Sequence, residues 1–273
     1  YDWYRKLFAR SFKLRAAAVE AGQPEPISDA AALDAYEHWF LEHGHDQVPF
    51  IDSGLYTSVR KGLDHWLGDK SSENALLLTG PRGGGKSAVL YRLKQEVAEE
   101  QAEVLVHLLE VPGKTCTAET VLSLVGEALQ TDLTAGPSAL VRTDAERQPT
   151  LLILDNAQNL FLRQVGGLSG WEALLSLVNT RIENVFWLVA INNQSWAYLS
   201  NIYGRDYQFR NVRTVRPWSQ NEVRSLILSR NHLSGYKIRY DDILLATRGP
   251  EAGSIRNAEQ LYFSLLWDAC MGN

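Results

Sequence analysis

The chain has 273 residues, 45% of them hydrophobic and 22% charged, with a formal net charge of −5. Those proportions exclude wholesale disorder and suit one large domain or two modest ones around a substantial core. The acidic total argues against a protein that coats DNA by neutralising its phosphates. Charge is nevertheless uneven: Arg5 to Arg15 holds five basic residues and no acid, and Arg205 to Arg239 is a second basic stretch. Cys116 and Cys270 are far apart and lack metal-ligand spacing, so neither a disulfide framework nor a zinc site is predicted, and a reducing cytoplasmic compartment fits. No run of about 18 apolar residues occurs, so no transmembrane helix is predicted within the chain. Tyr1 opens the numbering and Met271 is the single methionine, which predicts a piece of a longer or processed protein. Any membrane association is then expected to come from a segment outside this chain.

In chain order, "YDWYRKLFARSFKLRAAAVEAG" has helical spacing, with Leu7, Phe8, Phe12 and Leu14 near one face and basic residues between them. It reads as a helix packed on the main domain, or as an amphipathic helix that binds a partner or lies beside a membrane. "GQPEPISD" interrupts the pattern, and Asp29 is placed to cap a helix through "AALDAYEHWFLEHG". Another helix fits "GLYTSVRKGLDHWLG". From Ala75 strand and helix alternate. "ALLLTG" reads as a buried strand, followed by a helix from about Gly85 to Gln101. "EVLVHLLEV", "TLLILD", "VFWLVAIN" and the shorter "VRTVRP" supply further strands, with helices over "AETVLSLVGEAL" and "GWEALLSLVNTRI". Near-continuous apolar strands alternating with helices predict a parallel sheet covered on its faces. After Pro217 the strands stop, and "SQNEVRSLILSRN", "YDDILLATRG" and "GSIRNAEQLYFSLLWDA" read as helices. Ser219 and Glu222 have the spacing of a capping box. The fold class is therefore α/β: a parallel five-stranded P-loop sheet flanked by helices, with N-terminal helices and a small C-terminal helical lid. The expected divisions are an N-terminal helical region over 1–49, a core over 50–217 and the lid over 218–273.

Gly80 to Ser87, "GPRGGGKS", matches G-x-x-x-x-G-K-[ST] at every fixed position. A strand precedes the motif and a helix follows, as a phosphate loop requires. Its glycines allow positive φ, so the loop of Gly80, Pro81, Arg82, Gly83, Gly84 and Gly85, continuing into Lys86, Ser87 and Ala88, is expected to close around phosphates with the backbone N–H groups of every residue but the proline. The following helix aims its positive end at the same anion. Lys86 is expected to reach the β- and γ-phosphates, and the Ser87 hydroxyl to ligate Mg2+. Asp155 ends an apolar strand where a carboxylate would hold Mg2+ through its water shell. Thr79, Asp155 and Asn192 all sit at carboxyl ends of predicted parallel strands, where ligands of such sheets bind.

"GPRGGGKS", "LLILDNAQNL" and "VFWLVAINN" together resemble the Walker A, Walker B and sensor 1 segments of the AAA+ ATPases. The likeness is greatest to the branch with origin-recognition, transposition-helper and secretion-associated ATPases, and the signalling ATPases of the STAND class are similar in pattern. It covers about Phe50 to Ala269. The resemblance implies ATP as the nucleotide and gives Asn192 (or Asn193) the sensor 1 role of positioning the attacking water. "GSIRNAEQL" resembles the sensor 2 helix, which makes Arg256 the γ-phosphate contact of the lid. "YQFRNVRTVRPWSQNEV" resembles the segment where this family places an arginine finger before a phenylalanine. Here Gln208 precedes Phe209, and the nearby Arg205 and Arg210 do not match the position.

The family's second Walker B acid is replaced by Asn156, which can bond a water but cannot take its proton at neutral pH. Three outcomes follow: binding with almost no hydrolysis, slow hydrolysis with Asn156 or Gln158 orienting the water, or a carboxylate supplied from elsewhere. Glu110, at the end of the strand after the P-loop helix, is the candidate for that carboxylate. The expected function is a Mg-ATP-binding ATPase module with slow hydrolysis that couples nucleotide state to a protein partner or self-assembly. The alternatives are a non-hydrolysing nucleotide switch and an ATP-dependent DNA-associated adaptor.

Overall fold

Four largely apolar stretches and the short, mostly polar "NVRT" form the strands: β1 (Ala75–Gly80), β2 (Leu105–Glu110), β3 (Thr150–Asp155), β4 (Val185–Asn192) and β5 (Asn211–Thr214). The computed structural model describes residues 31, 34, 49–70, 73–113, 115–134, 136–204, 208–235, 238, 240 and 255–271, with the backbone alone described at 255–257. The helix expected within 1–22 lies outside the described residues, as does nearly all of the one expected after Asp29 and all but Tyr240 of the one expected over 240–249. No helix among the described residues is long and apolar enough to cross a membrane.

The strand order is β2-β3-β4-β1-β5, and every pairing is parallel. β3 is buried along its whole length and β4 up to Asn192, which is why both read as unbroken apolar runs. Helices α1 (Leu55–Gly68), α2 (Lys86–Glu100), α3 (Ala118–Leu129), α4 (Ser138–Asp144), α5 (Ser169–Val178) and α6 (Asn193–Tyr203) complete this unit, with a 3-10 turn at Ala157–Leu160. α3 packs on α5, and α1 packs on α2 and β5. The core includes Trp171, Trp187, Leu140, Leu152 and Leu174, and Trp66 of α1 lies 5.5 Å from the Phe186 ring. α4 is tied to the start of β4 because the buried Asp144 carboxylate accepts from the amides of Glu183 (2.6 Å) and Asn184 (3.1 Å).

Parallel pairing brings all the strand carboxyl ends to one edge. Gly80 stands beside Asn192, and Glu110 beside Asp155. β5 stops at Thr214, earlier than the pattern "VRTVRP" implies, although the Val215 amide still donates to Thr79 O at 2.7 Å.

Two compact units divide the chain: Asp52–Arg216, which holds the sheet, and Tyr1–Ile51 with Pro217–Asn273. In the second, α7 (Gln220–Ser234) begins with the capping box Ser219–Glu222 and ends at Gly235 in the left-handed region. It pairs with α8 (Ile255–Cys270) through Arg224 and Glu259, 2.5 Å apart, while Tyr240, Ala258 and Phe263 form a small core.

Candidate functional site: the phosphate loop and its carboxylates

The Gly80 to Ser87 loop joins β1 to α2, and its glycines answer specific geometric demands. Gly83 and Gly85 have φ of 80° and 85°, which favours glycine. Gly80 is constrained by space: a Cβ there would come within 2.6 Å of the Val215 side chain. Val215 also lies under Gly84, so the loop rests on the residue that follows β5. Gly85 is the N-cap of α2 and supplies no side-chain cap, which leaves the first-turn amides to an external acceptor. Arg82 and Gly83 are exposed on the loop, and Ala88 is half-buried in the first turn of α2.

Lys86 folds back over the loop, donating to Gly80 O at 3.1 Å and Pro81 O at 2.8 Å. Burial holds its ammonium below the ordinary lysine value, and the Asp155 carboxylate opposes that shift. The Ser87 hydroxyl donates to Asp155 Oδ2 at 2.5 Å, so the two oxygens expected at a metal ion converge. The other Asp155 oxygen accepts from the Asn156 amide at 2.7 Å. Among the described residues no group of three or more His, Cys, Asp or Glu side chains gathers. A hydroxyl and one carboxylate, with the balance of ligands left to phosphate and water, is the donor set that suits Mg2+. The loop, the uncapped helix start, Lys86 and this oxygen pair fit a magnesium nucleotide.

Asn156 is exposed and left-handed, with φ 59° and ψ 37°. Its Oδ1 accepts from Gln158 Nε2 at 3.0 Å. Glu110, exposed at the end of β2, accepts a hydrogen bond from the Tyr91 hydroxyl of α2. Asn192 caps α6, its side-chain oxygen accepting from the Ser195 amide at 2.7 Å. That leaves only its amide group as a donor to an anion, while Asn193 is exposed in the first turn of α6. The Arg256 side chain lies outside the described residues, and so does Arg205. Gln208 is buried with 2% exposure, accepts from Trp171 Nε1 at 2.9 Å, and donates to Leu199 O and Gly204 O. The position before Phe209 thus belongs to the core, and Arg210 instead lies 3.7 Å from Glu73. Tyr91 and Val215 are the contributors that sequence reasoning passed over. The signal for Tyr91 was its place four residues after Ser87 on one helix face.

A family model described as an AAA domain matches residues 69–194. Among solved structures, the chain is similar to the Aeropyrum pernix ORC2 protein in its ADP form, at 16% identity and a TM-score of 0.54, covering 87% of this chain and 68% of that one. It is also similar to Drosophila ORC bound to DNA, at 15% identity and a TM-score of 0.53, covering 98% and 70% respectively. The Aeropyrum pernix ORC1 protein in complex with DNA gives 17% identity, a TM-score of 0.52, and coverage of 86% and 64%. This chain therefore spans about two thirds of the length of those proteins, and the likeness is one of fold. No curated protein matches it. With an AAA domain matched over 69–194 and a P-loop at the carboxyl edge of a five-stranded parallel sheet, this part of the chain is similar to the AAA domains of P-loop ATPases.

Proposed function

We propose that this chain binds Mg-ATP, hydrolyses it slowly, and uses its nucleotide state to govern a protein partner or self-assembly. The observation that carries this reading is the 2.5 Å approach of Ser87 to Asp155 beside a lysine that spans the loop carbonyls. When bound, Mg-ATP supplies the phosphoryl group and a cation that neutralises charge on it. Lys86 and the amides at the start of α2 hold the phosphates, and Ser87 and Asp155 hold the metal, the latter through water. Asn192 orients the attacking water through its amide. Asn156 cannot take the proton of that water, so Glu110, one strand away in register with Asp155, serves as the general base.

The test is nucleotide binding and steady-state phosphate release, with Lys86→Ala as the blank. The natural chain is expected to gain thermal stability with Mg-ATP and to release phosphate above the blank, and Lys86→Ala to lose both. No stabilisation of the natural chain by Mg-ATP would remove the proposal. A second reading, a switch that binds without hydrolysing, is favoured by the Gln158 amide fixing Asn156 Oδ1. Turnover above the blank sinks that version.

A further inference from the structure

Helix α2 carries two hydroxyl groups one turn apart, and they close on two carboxylates that lie side by side in the sheet. Glu110 and Asp155 end β2 and β3 in register. Ser87 donates to Asp155, and Tyr91 donates to Glu110. Four residues of helix advance about 6 Å, so Tyr91 stands that much farther from the phosphate loop than Ser87. The contact therefore holds the Glu110 carboxylate beside α2 at the level of Tyr91, one turn past Ser87. The bond also occupies an oxygen that would otherwise accept a proton.

We propose that Tyr91 is a latch, a positioning residue that restrains Glu110 and sets the rate of hydrolysis. This rests on the reading of Glu110 as the general base. With the latch made, nucleotide is held and turnover is low. With it released, Glu110 turns toward the attacking water. It takes the proton as the water oxygen bonds to the γ-phosphorus, and the bond to the bridging oxygen breaks with its electron pair remaining on ADP. A partner that engages the exposed end of β2 and loosens the phenol would act as an activator.

The experiment measures steady-state phosphate release from Mg-ATP by the full chain. It compares the natural protein, Tyr91→Phe, Glu110→Gln and the double variant, with Lys86→Ala as blank. Tyr91→Phe keeps the ring on the helix and removes only the hydroxyl. It is expected to raise kcat about tenfold, the scale of one hydrogen bond to an ionised group, with KM within about twofold. The double variant is expected to fall back to the Glu110→Gln level, because the gain runs through that carboxylate. An unchanged or lower kcat in Tyr91→Phe, with Glu110→Gln still impaired, overturns the latch and leaves Glu110 as the base. A gain that survives in the double variant also overturns it. Glu110→Gln turning over like the natural chain removes the base reading itself, and the latch with it.

Discussion

At residue 156 the backbone and the side chain agree. Left-handed φ is costly for most L-residues and best tolerated by asparagine and aspartate, which bond locally. Asn156 sits at φ 59° with its side chain held by Gln158, so the residue suits the turn between β3 and the 3-10 segment. A glutamate here would carry a strain of about 1 kcal/mol, and its longer side chain would lose the Gln158 contact. Asn156→Glu is therefore expected to lower stability by about that amount in denaturant titration. Its kcat should stay within about threefold of the natural chain if Glu110 is the base. A rise well above tenfold would make Asn156 the brake and take the role away from Glu110. The departure from the family pattern was visible in the sequence, whereas its fit to a left-handed turn depended on the backbone angle.

Among the elements, the segment between α6 and β5 shows how one position can look functional in a pattern and be structural in the fold. Gln208 stands where the family resemblance looks for an arginine finger. Its amide joins the Trp171 indole of α5 to two carbonyls at the end of α6, and the Phe209 ring beside it packs on Trp171 and Trp196. A Gln208→Leu change of similar volume leaves an indole N–H and the carbonyls short of partners, so a loss of about 2 kcal/mol is expected. Urea unfolding should show a lower midpoint with an unaltered slope, while nucleotide affinity stays the same. A loss of turnover without loss of stability would return the position to the active site. Helix α6 itself was not legible: "NQSWAYLSNIY" mixes polar and apolar residues almost evenly and opens on three polar ones, and only the Asn192 cap and the burial of Trp196 and Leu199 reveal it. α4 escaped for another reason, since seven residues offer too short a period to read.

For the molecule as a whole, the basic stretch from Arg205 to Arg239 is what motivated a DNA-associated reading. Three of its arginines are engaged internally: Arg213 with Ser58, Arg216 with Ser53 O and Arg224 with Glu259. Phosphate contacts by these groups would compete with bonds already made. With a net charge of −5, duplex DNA is expected to bind the Mg-ATP-loaded chain no tighter than about 10⁻⁴ M at 50 mM salt. Tight, salt-dependent binding in a fluorescence anisotropy titration would reinstate the adaptor reading.

What the amino-acid sequence determined by itself was local: the apolar strands, the glycine loop ending in Lys86 and Ser87, the Asp155 strand end and the Ser219 cap. Each is set by neighbours within a few residues, through burial, positive φ or an orphan amide, so each could be read along the chain. The tertiary structure alone decided that Val215 supports Gly80, that Gln208 is buried, and that Tyr91 meets Glu110 beside Asp155. Those contacts arise from the strand order β2-β3-β4-β1-β5, which brings together residues far apart in the chain, and no local periodicity encodes that order.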